Sequence, residues 1–371
     1  MKIKTTLLFA CLLCSHSLKA DFNSLIYDRF SENVLNSFGV SGAFLAELKA
    51  KNSLKSSNAE ARWDYFVQKF DSGYEFIPIL KSMMAQAGIP QEFLFLAMAE
   101  SEFSTRAYSP KKASGIWQLM PVTAKQLGLK INDYIDERRD PIKSTQAAIK
   151  YLQFLYKITG KWYLAAMAYN CGVGRLQKAI KQAKSTDIDV LLDEHKRYLP
   201  KETRNYIRMI LSMSLAFNNI DRFKSDDREY LLNRGAMNTL ASVNVKAGTM
   251  LSVIAEGAEM TLEELKKYNR QFRYNFLPPG YGEYTVYVPY EKLAYFKQNF
   301  QEDQNPNEMF VLHRVKQGET LTSIAKKYRV SIQEIKITNK LKNSFLSINQ
   351  KLIVPVIRKD YRKLVQNEIK H

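Results

Sequence analysis

Apolar and polar positions divide the chain into three regimes. From Asp21 to about Asn58 apolar residues recur at helical spacing, and the segment ends in the polar stretch KNSLKSSNAE. From Trp63 to about Phe223 the helical period dominates and strand signals are scarce. Within that region Pro90 is placed to open one helix, and Asp140-Pro141 to open another with Asp140 as its N-cap. Gly160 separates two further helices. Beyond Asp226 the pattern changes to short β-like runs, such as YTVYVP at 284–289 and KLIVP at 351–355.

The β-like region repeats itself. A shift of 70 places Val245, Lys246, Gly248, Leu251, Ile254 and Ala255 on Val315, Lys316, Gly318, Leu321, Ile324 and Ala325. The same shift carries Glu264, Leu265, Lys266 and Asn269 onto Glu334, Ile335, Lys336 and Asn339. Each copy closes on Val-Pro, at 288–289 and 354–355, and reads strand, helix, helix, strand. A unit of this size has a small core, which suits a binding module better than an enzyme.

Composition adds a charge and removes several classes. The 371 residues carry 55 Lys+Arg against 37 Asp+Glu, a formal net charge of +18. Hydrophobic residues at 46% and charged residues at 25% fit a globular chain, and the length calls for two or three domains. A strongly basic protein meets something anionic: nucleic acid, a membrane surface or an acidic polymer.

The N-terminus narrows that choice. Lys2 and Lys4 precede an apolar run from Leu7 to Cys14 and a polar stretch ending at Ala20. This is the layout of a secretory signal over 1–20, with an apolar run too short to span a bilayer. Leu-Phe-Ala-Cys11 also reads as a lipobox, so a lipid-anchored form stands beside a cleaved soluble one. Cleavage after Ala20 removes three lysines and no acidic residue, which lowers the net charge to +15. It also leaves Cys171 as the one remaining cysteine of three, so no intramolecular disulfide is expected. An exported basic chain is not expected to have nucleic acid as its partner.

The candidate chemistry lies between 89 and 210. The helix after Pro90 is apolar almost all round, from Phe93 to Ala99, and then presents Glu100 near its C-terminal end. Burial and the negative end of the helix dipole both disfavour the carboxylate and raise its pKa. A carboxyl kept protonated near neutral pH can serve as a general acid on a glycosidic bond. From the helix alone, the alternative is a helix-end Glu that faces water. Glu102, two residues on, points about 200° around the helix and is a poor second carboxylate. Asp136, Glu137 and Asp140 read as caps and ion-pair partners of Arg138 and Arg139. The four histidines, at 16, 195, 313 and 371, show no metal-ligand spacing, and no phosphate-binding glycine loop occurs, so neither metal nor cofactor is expected.

The segments around Glu100 resemble the lysozyme-like catalytic domain of the soluble lytic transglycosylase family. The resemblance rests on Glu100-Ser101 with Phe103, on Ser109, and on Gly115-x-x-Gln118-x-Met120-Pro121-x-Thr123-Ala124. It continues through Ala168-Tyr169-Asn170-x-Gly172-x-Gly174 and Glu202-Thr203-Arg204-x-Tyr206. The block from Asp136 to Pro141 and the trailing repeat look like the membrane-bound lytic murein transglycosylase D subgroup. Residues 311–356 resemble a LysM module, a binder of glycans built from N-acetylated sugars. The copy at 243–290 is more diverged, and its glycan binding is an open question.

The resemblance implies a mainly α lysozyme-like (α+β) catalytic domain followed by two small βααβ modules. The implied division is signal 1–20, helical lead-in 21–61, catalytic domain 62–225, modules 242–290 and 310–357, and basic tail 358–371. It implies peptidoglycan strands as partner and a periplasmic site of action, with outer-membrane attachment as an option. Position by position, Glu100 matches the single catalytic acid/base, and Ser109, Gln118 and Met120 match residues that hold the sugar and its N-acetyl group. Tyr169 matches the hydroxyl that orients the acid, Asn170 lines the cleft, and Glu202 matches a second cleft carboxyl. Departures are Lys112 in place of a usual Gly, Cys171 in place of Ala, where core packing is the expected role, and Lys161 in place of an acidic residue. Alternatives to a transglycosylase are a hydrolytic muramidase or chitinase, and a non-catalytic wall scaffold.

Overall fold

The computed structural model describes residues 36–44, 48, 59–217, 220–232, 239–301, 308–359 and 361. The signal and lipobox readings, Cys11 and Cys14 included, most of the lead-in and most of the basic tail lie outside the described residues. In chain order the helices up to Ser225 are α1 (Ala59–Ser72), α2 (Ile77–Gln86), α3 (Leu94–Ser101), α4 (Pro121–Gln126), α5 (Pro141–Thr159), α6 (Trp162–Cys171), α7 (Val173–Ala183), α8 (Ile188–Leu191), α9 (Lys201–Phe217) and α10 (Ile220–Ser225). Then follow β1 (Leu240–Lys246), α11 (Leu251–Gly257), α12 (Leu262–Tyr268), β2 (Glu283–Pro289), α13 (Leu293–Asn299), β3 (Glu308–Arg314), α14 (Leu321–Tyr328), α15 (Ile332–Thr338) and β4 (Lys351–Ile357).

The described residues form two compact units. One falls within Met1–Ser109, Gly115–Leu119 and Thr145–Met237, the other within Pro110–Ser114, Met120–Ser144 and Asn238–His371. Residues 110–114 and 120–144 of the span expected as catalytic domain, 62–225, group with the second unit. The expectation of a mainly helical domain followed by strand-paired modules holds.

In the first unit, α9 packs against both α3 and α6. It does so through Tyr206, Ile207, Ile210, Leu211, Ser214 and Leu215, spaced three and four apart on one buried face. Helix α3 meets it with Leu94 to Met98, all buried, as expected of a run that is apolar all round. Rings of Trp63, Phe66, Phe70, Phe95, Phe217 and Phe223 close the far side, with Trp63 and Phe223 centroids 5.0 Å apart. The Trp63 indole N–H donates to Asp226 at 2.6 Å, so the polar tip of the cluster is paired. Pro90 does not occupy the first helical position; it precedes a 3₁₀ turn, Gln91–Phe93, that leads into α3. Gly160, with φ +74°, breaks the chain between α5 and α6 as the pattern predicts.

The second unit holds the repeat. Strands β1 and β2 pair antiparallel, as do β3 and β4, with Leu240 opposite Pro289 and Phe310 opposite Pro355. The residues that the 70-residue shift aligns carry the same structural work in both copies. Gly248 and Gly318 both turn the chain at positive φ, +79° and +81°, where any side chain is strained. Thr261 with Glu264 and Ser331 with Glu334 form matching capping boxes. Asn269 donates to Leu265 O at 2.9 Å and Tyr287 O at 2.7 Å, and accepts from Tyr287 N at 2.9 Å. Asn339 repeats this with Ile335 O at 2.8 Å, Ile353 O at 2.7 Å and Ile353 N at 2.7 Å. Each Asn thus ties the end of a helix to the closing strand with three bonds.

Asn339→Ala leaves those partners without their bonds and is expected to cost the module about 2–3 kcal/mol. Hydrogen exchange on the full chain checks this: amides of 308–357 should exchange faster, and those of α3, α6 and α9 should not.

The two copies differ where the sequence diverges. The core of the first continues past 290 into α13, whose Phe296 is buried with Leu251, Ile254 and Val288. In the second, His313 is buried between Tyr328 Oη at 3.0 Å and Glu319 Oε2 at 2.8 Å. The first copy has Val243 and Thr249 at the positions of that His and Glu.

The segment 130–140 belongs to this unit and meets both copies. Asp136, nearly fully buried, takes Arg138 Nε at 2.9 Å and Nη2 at 2.8 Å, and Arg273 Nη2 at 3.2 Å. Ile135 bridges to Phe272, and Asp136 N donates to Gln271 O. Asp140 caps α5 through Ile142 N and Lys143 N and also accepts from Tyr287 Oη at 3.0 Å. Asp133 pairs with Arg314 and Lys351. The expectation that these acids cap and pair is met, and Glu137 pairs with Lys143 at 2.6 Å.

Candidate active site

Helix α3 delivers Glu100 one residue before its C-terminal end, where α9 packs against both α3 and α6. The carboxyl is half-buried, with its pKa pushed up to about 7. Desolvation is the main cause, and the negative charge of Glu202 adds to it. One hydrogen bond works the other way: Tyr206 Oη donates to Glu100 Oε1 at 2.6 Å and favours the ionised form.

Family resemblance assigned the orienting hydroxyl to Tyr169, but the hydroxyl bonded to Glu100 is that of Tyr206. Tyr169 Oη donates to Trp117 O at 2.7 Å. Its phenol is still held well above the usual value, by burial first and then by the charge of Glu100, so it belongs to the same electrostatic neighbourhood. Physical reasons separate the two. Tyr206 projects from α9 straight across the α3 contact, while Tyr169 reaches the backbone of the 115–119 loop.

That loop is fixed from several sides. Ser101 Oγ, adjacent to the acid, donates to Ile116 O at 2.7 Å. Trp117 is fully buried and donates its indole N–H to Thr145 Oγ1 at 2.8 Å. Gly115 N donates to Ala107 O at 2.9 Å, and Gly115 has φ +79°. Gln118 is held at φ +44°, a strained backbone for a residue with a side chain, and its amide donates to Gly115 O at 2.9 Å. Such strain persists where surrounding structure imposes it, here through Ser101, Tyr169 and Thr145.

The other expected site residues are placed as follows. Asn170 ends α6 and accepts from Thr203 Oγ1 at 2.7 Å, joining α6 to the first turn of α9. Glu202 is exposed on that turn, and Ser109 is half-buried in the same unit. Met120 is exposed and belongs to the second unit. Glu102 is no partner for Glu100: it sits at φ +54°, pairs with Lys69 at 2.8 Å and accepts from Tyr65. Cys171 is free, and burial raises its thiol pKa, which disfavours a nucleophilic thiolate. Lys112 adopts φ +67°, the conformation that glycine favours, which accounts for Gly as the usual residue there. Ser101 and Tyr206 were both inside the quoted motifs, yet nothing in their spacing indicated which atoms they would hold.

The Tyr206 bond gives a signed prediction. Tyr206→Phe removes a donor to the carboxylate, so the Glu100 pKa rises further and any activity limb it controls moves to higher pH. A pH–rate profile on a soluble glycan substrate checks this. An unmoved limb contradicts the assignment.

Three domain models match the chain: Transglycosylase SLT domain over 78–192, Lytic transglycosylase MltD LysM-like domain over 239–304, and LysM domain over 313–355. The membrane-bound lytic murein transglycosylase D of Escherichia coli strain K12 is 31% identical over 292 residues, covering 74% of this chain and 62% of that protein. The chain thus spans about three-fifths of that relative's length. The soluble lytic murein transglycosylase of the same strain is 26% identical over 166 residues, covering 43% of this chain and 25% of the other. Among solved structures, the 70-kDa soluble lytic transglycosylase in complex with bulgecin A aligns with a TM-score of 0.36 at 25% identity, covering 47% of this chain and 28% of that one.

Proposed function

Because this chain carries a transglycosylase SLT domain ahead of an MltD-type LysM-like domain and a LysM domain, we propose that it is a lytic transglycosylase that cleaves peptidoglycan. The observation that carries the reading is a half-buried carboxyl, Glu100, with its pKa raised to about 7 and a tyrosine hydroxyl fixed on it.

At neutral pH such a group is divided between its acid and base forms, which suits a residue that must act as both. As acid, Glu100 gives its proton to the oxygen of the β-1,4 bond between N-acetylmuramic acid and N-acetylglucosamine, and that bond breaks. As base, it takes the proton of the muramyl C6 hydroxyl, whose oxygen closes on C1. The product end is a 1,6-anhydro sugar, water is not consumed, and the carboxyl regains its starting proton. Tyr206 holds one carboxyl oxygen so that the other is free to meet the substrate. A one-carboxylate route fits a site in which Glu102 is drawn off by Lys69. Gln118, Asn170 and Ser109 are assigned to the sugar and its N-acetyl group, and Glu202 to its margin.

The LysM domain at 313–355 retains the strand order, capping box and Asn339 clasp of its repeat, and it is assigned to glycan binding. The first copy is assigned a structural role, supported by the use of Phe272 and Arg273 to hold 130–140. We assign the enzyme to the periplasm, exported by the N-terminal segment and held at the wall. Among the described residues no helix is long and apolar enough to cross a membrane.

Incubating the full chain with purified sacculi tests the activity: soluble muropeptides should appear, and intact sacculi with an active, folded preparation would contradict it. The net charge of +18 predicts a second behaviour. Co-sedimentation with sacculi should weaken as salt rises, since stem-peptide carboxylates lose their hold on a screened cationic surface. Retention that stays constant from low to high salt would assign the attachment to the modules alone.

A further inference from the structure

The first unit carries a concavity lined from α7, the 194–200 loop and the start of α9, with a volume of about 860 Å³. It uses a different face of α9 from the one that serves Glu100. At about 100° per residue, Lys201 and Arg204 lie roughly 140–200° around the helix from Tyr206. The lining holds five cations, Arg175, Lys178, Arg197, Lys201 and Arg204, against one carboxylate, Glu194. That carboxylate is already engaged, by Arg204 at 2.9 Å and Arg208 at 2.7 Å. Arg175, Lys178 and Lys201 have no ion pair among the described residues. Arg204 is buried, and its Nε has no hydrogen-bond partner among the described residues. With its one carboxylate engaged and three of its cations without an ion pair among the described residues, the cavity carries an excess of positive charge that favours an anionic ligand.

The size and lining select the kind of anion. The volume is that of a small-molecule site and exceeds what one inorganic ion needs. Buried Ala179 and Leu199, with half-buried Pro200, give the cavity apolar surface that a bare phosphate leaves uncovered. A short peptide with free carboxylates meets both the cations and the apolar floor. On the reading of the chain as a peptidoglycan transglycosylase, on which this inference rests, the substrate carries such peptides on its muramyl sugars. We infer that the cavity is a binding site for the carboxylate-bearing stem peptide of the glycan strand. Cleavage is thereby directed to peptide-bearing stretches, because the strand is held by its peptide as well as by its sugars.

The test uses the full chain and a double charge reversal at the exposed rim, Arg175→Glu with Lys178→Glu. The probe is a synthetic stem tetrapeptide without sugars (alanine, γ-linked glutamate, diaminopimelate, alanine), titrated calorimetrically. The parent should bind it, the variant should bind at least about tenfold more weakly, and inorganic phosphate at equal concentration should not displace it. On peptide-bearing strands the variant's KM should rise by a similar factor with kcat little changed. Strands stripped of peptide by amidase should be cleaved by parent and variant within about twofold of each other. Equal peptide binding by parent and variant, no binding by the parent, or displacement by phosphate would each overturn the proposal. A parent that binds peptide but cleaves neither kind of strand would contradict the enzymatic reading and leave the peptide site standing.

Discussion

Glu100→Gln is expected to reduce the digestion of purified peptidoglycan by about 10²–10⁴-fold, the usual contribution of a positioned general acid. The variant should stay folded. Gln keeps the shape of the side chain and can still accept the Tyr206 hydrogen bond. The parent should show a rate that falls as pH rises through about 7, because that is where the acid form is lost. Stability moves the opposite way between the two proteins. A carboxyl with a folded-state pKa near 7 and an unfolded value of 4.5 contributes most below pH 4.5, and that contribution is lost as pH rises through 7. The parent therefore gives up as much as about 3 kcal/mol above pH 7 that Glu100→Gln retains. Thermal unfolding of both proteins at pH 5 and pH 8 reads this directly. A variant that is inactive and also less stable at pH 8 would point to a structural carboxyl instead of a catalytic acid.

The largest stability effect is expected at Asp136. Its carboxylate and the Arg138 guanidinium are both almost fully buried, and Arg273 adds a third partner. Asp136→Ala takes away the buried carboxylate that holds Arg138, and breaking a buried pair in this way costs about 3–5 kcal/mol. The transition of the second unit should fall by on the order of 10 °C. Asp133→Ala is the contrast. Asp133 also holds two cations, Arg314 and Lys351, but roughly half of its side chain is exposed. Exposed pairs contribute at most about 1 kcal/mol, so this variant should shift the same transition by only a few degrees. Equal shifts in the two variants would show that burial is not what gives Asp136 its weight. Arg138 also donates to Lys112 O at 2.6 Å. Loss of Asp136 should therefore loosen the 110–114 turn, which hydrogen exchange at those amides can detect.

The contrast between these sites explains what could be read from sequence. The raised pKa of Glu100 was legible because a short apolar run ending in one carboxyl desolvates that carboxyl. The repeat was legible because a fixed shift of 70 aligns residues with identical tasks, and the Asn269 and Asn339 clasps show that the aligned positions carry the same bonds. Tyr206 was not legible as the partner of Glu100, although it stood in a quoted motif. Which tyrosine reaches the acid depends on how α9 crosses α3, and one-dimensional spacing does not contain that angle. Asp136 was read as a cap and local ion pair, and it is both. Its bond to Arg273, 137 residues away, is a property of the folded second unit. For the same reason the grouping of 120–144 with the tail modules is not visible in sequence spacing.

The most direct test of the central claim is the mass of the products released from purified sacculi by the parent chain. The account predicts fragments that end in 1,6-anhydro-N-acetylmuramic acid, one water lighter than their hydrolysed counterparts, and none above background from Glu100→Gln. Reducing muramic ends from the parent, or 1,6-anhydro ends from Glu100→Gln at the parental rate, would contradict it.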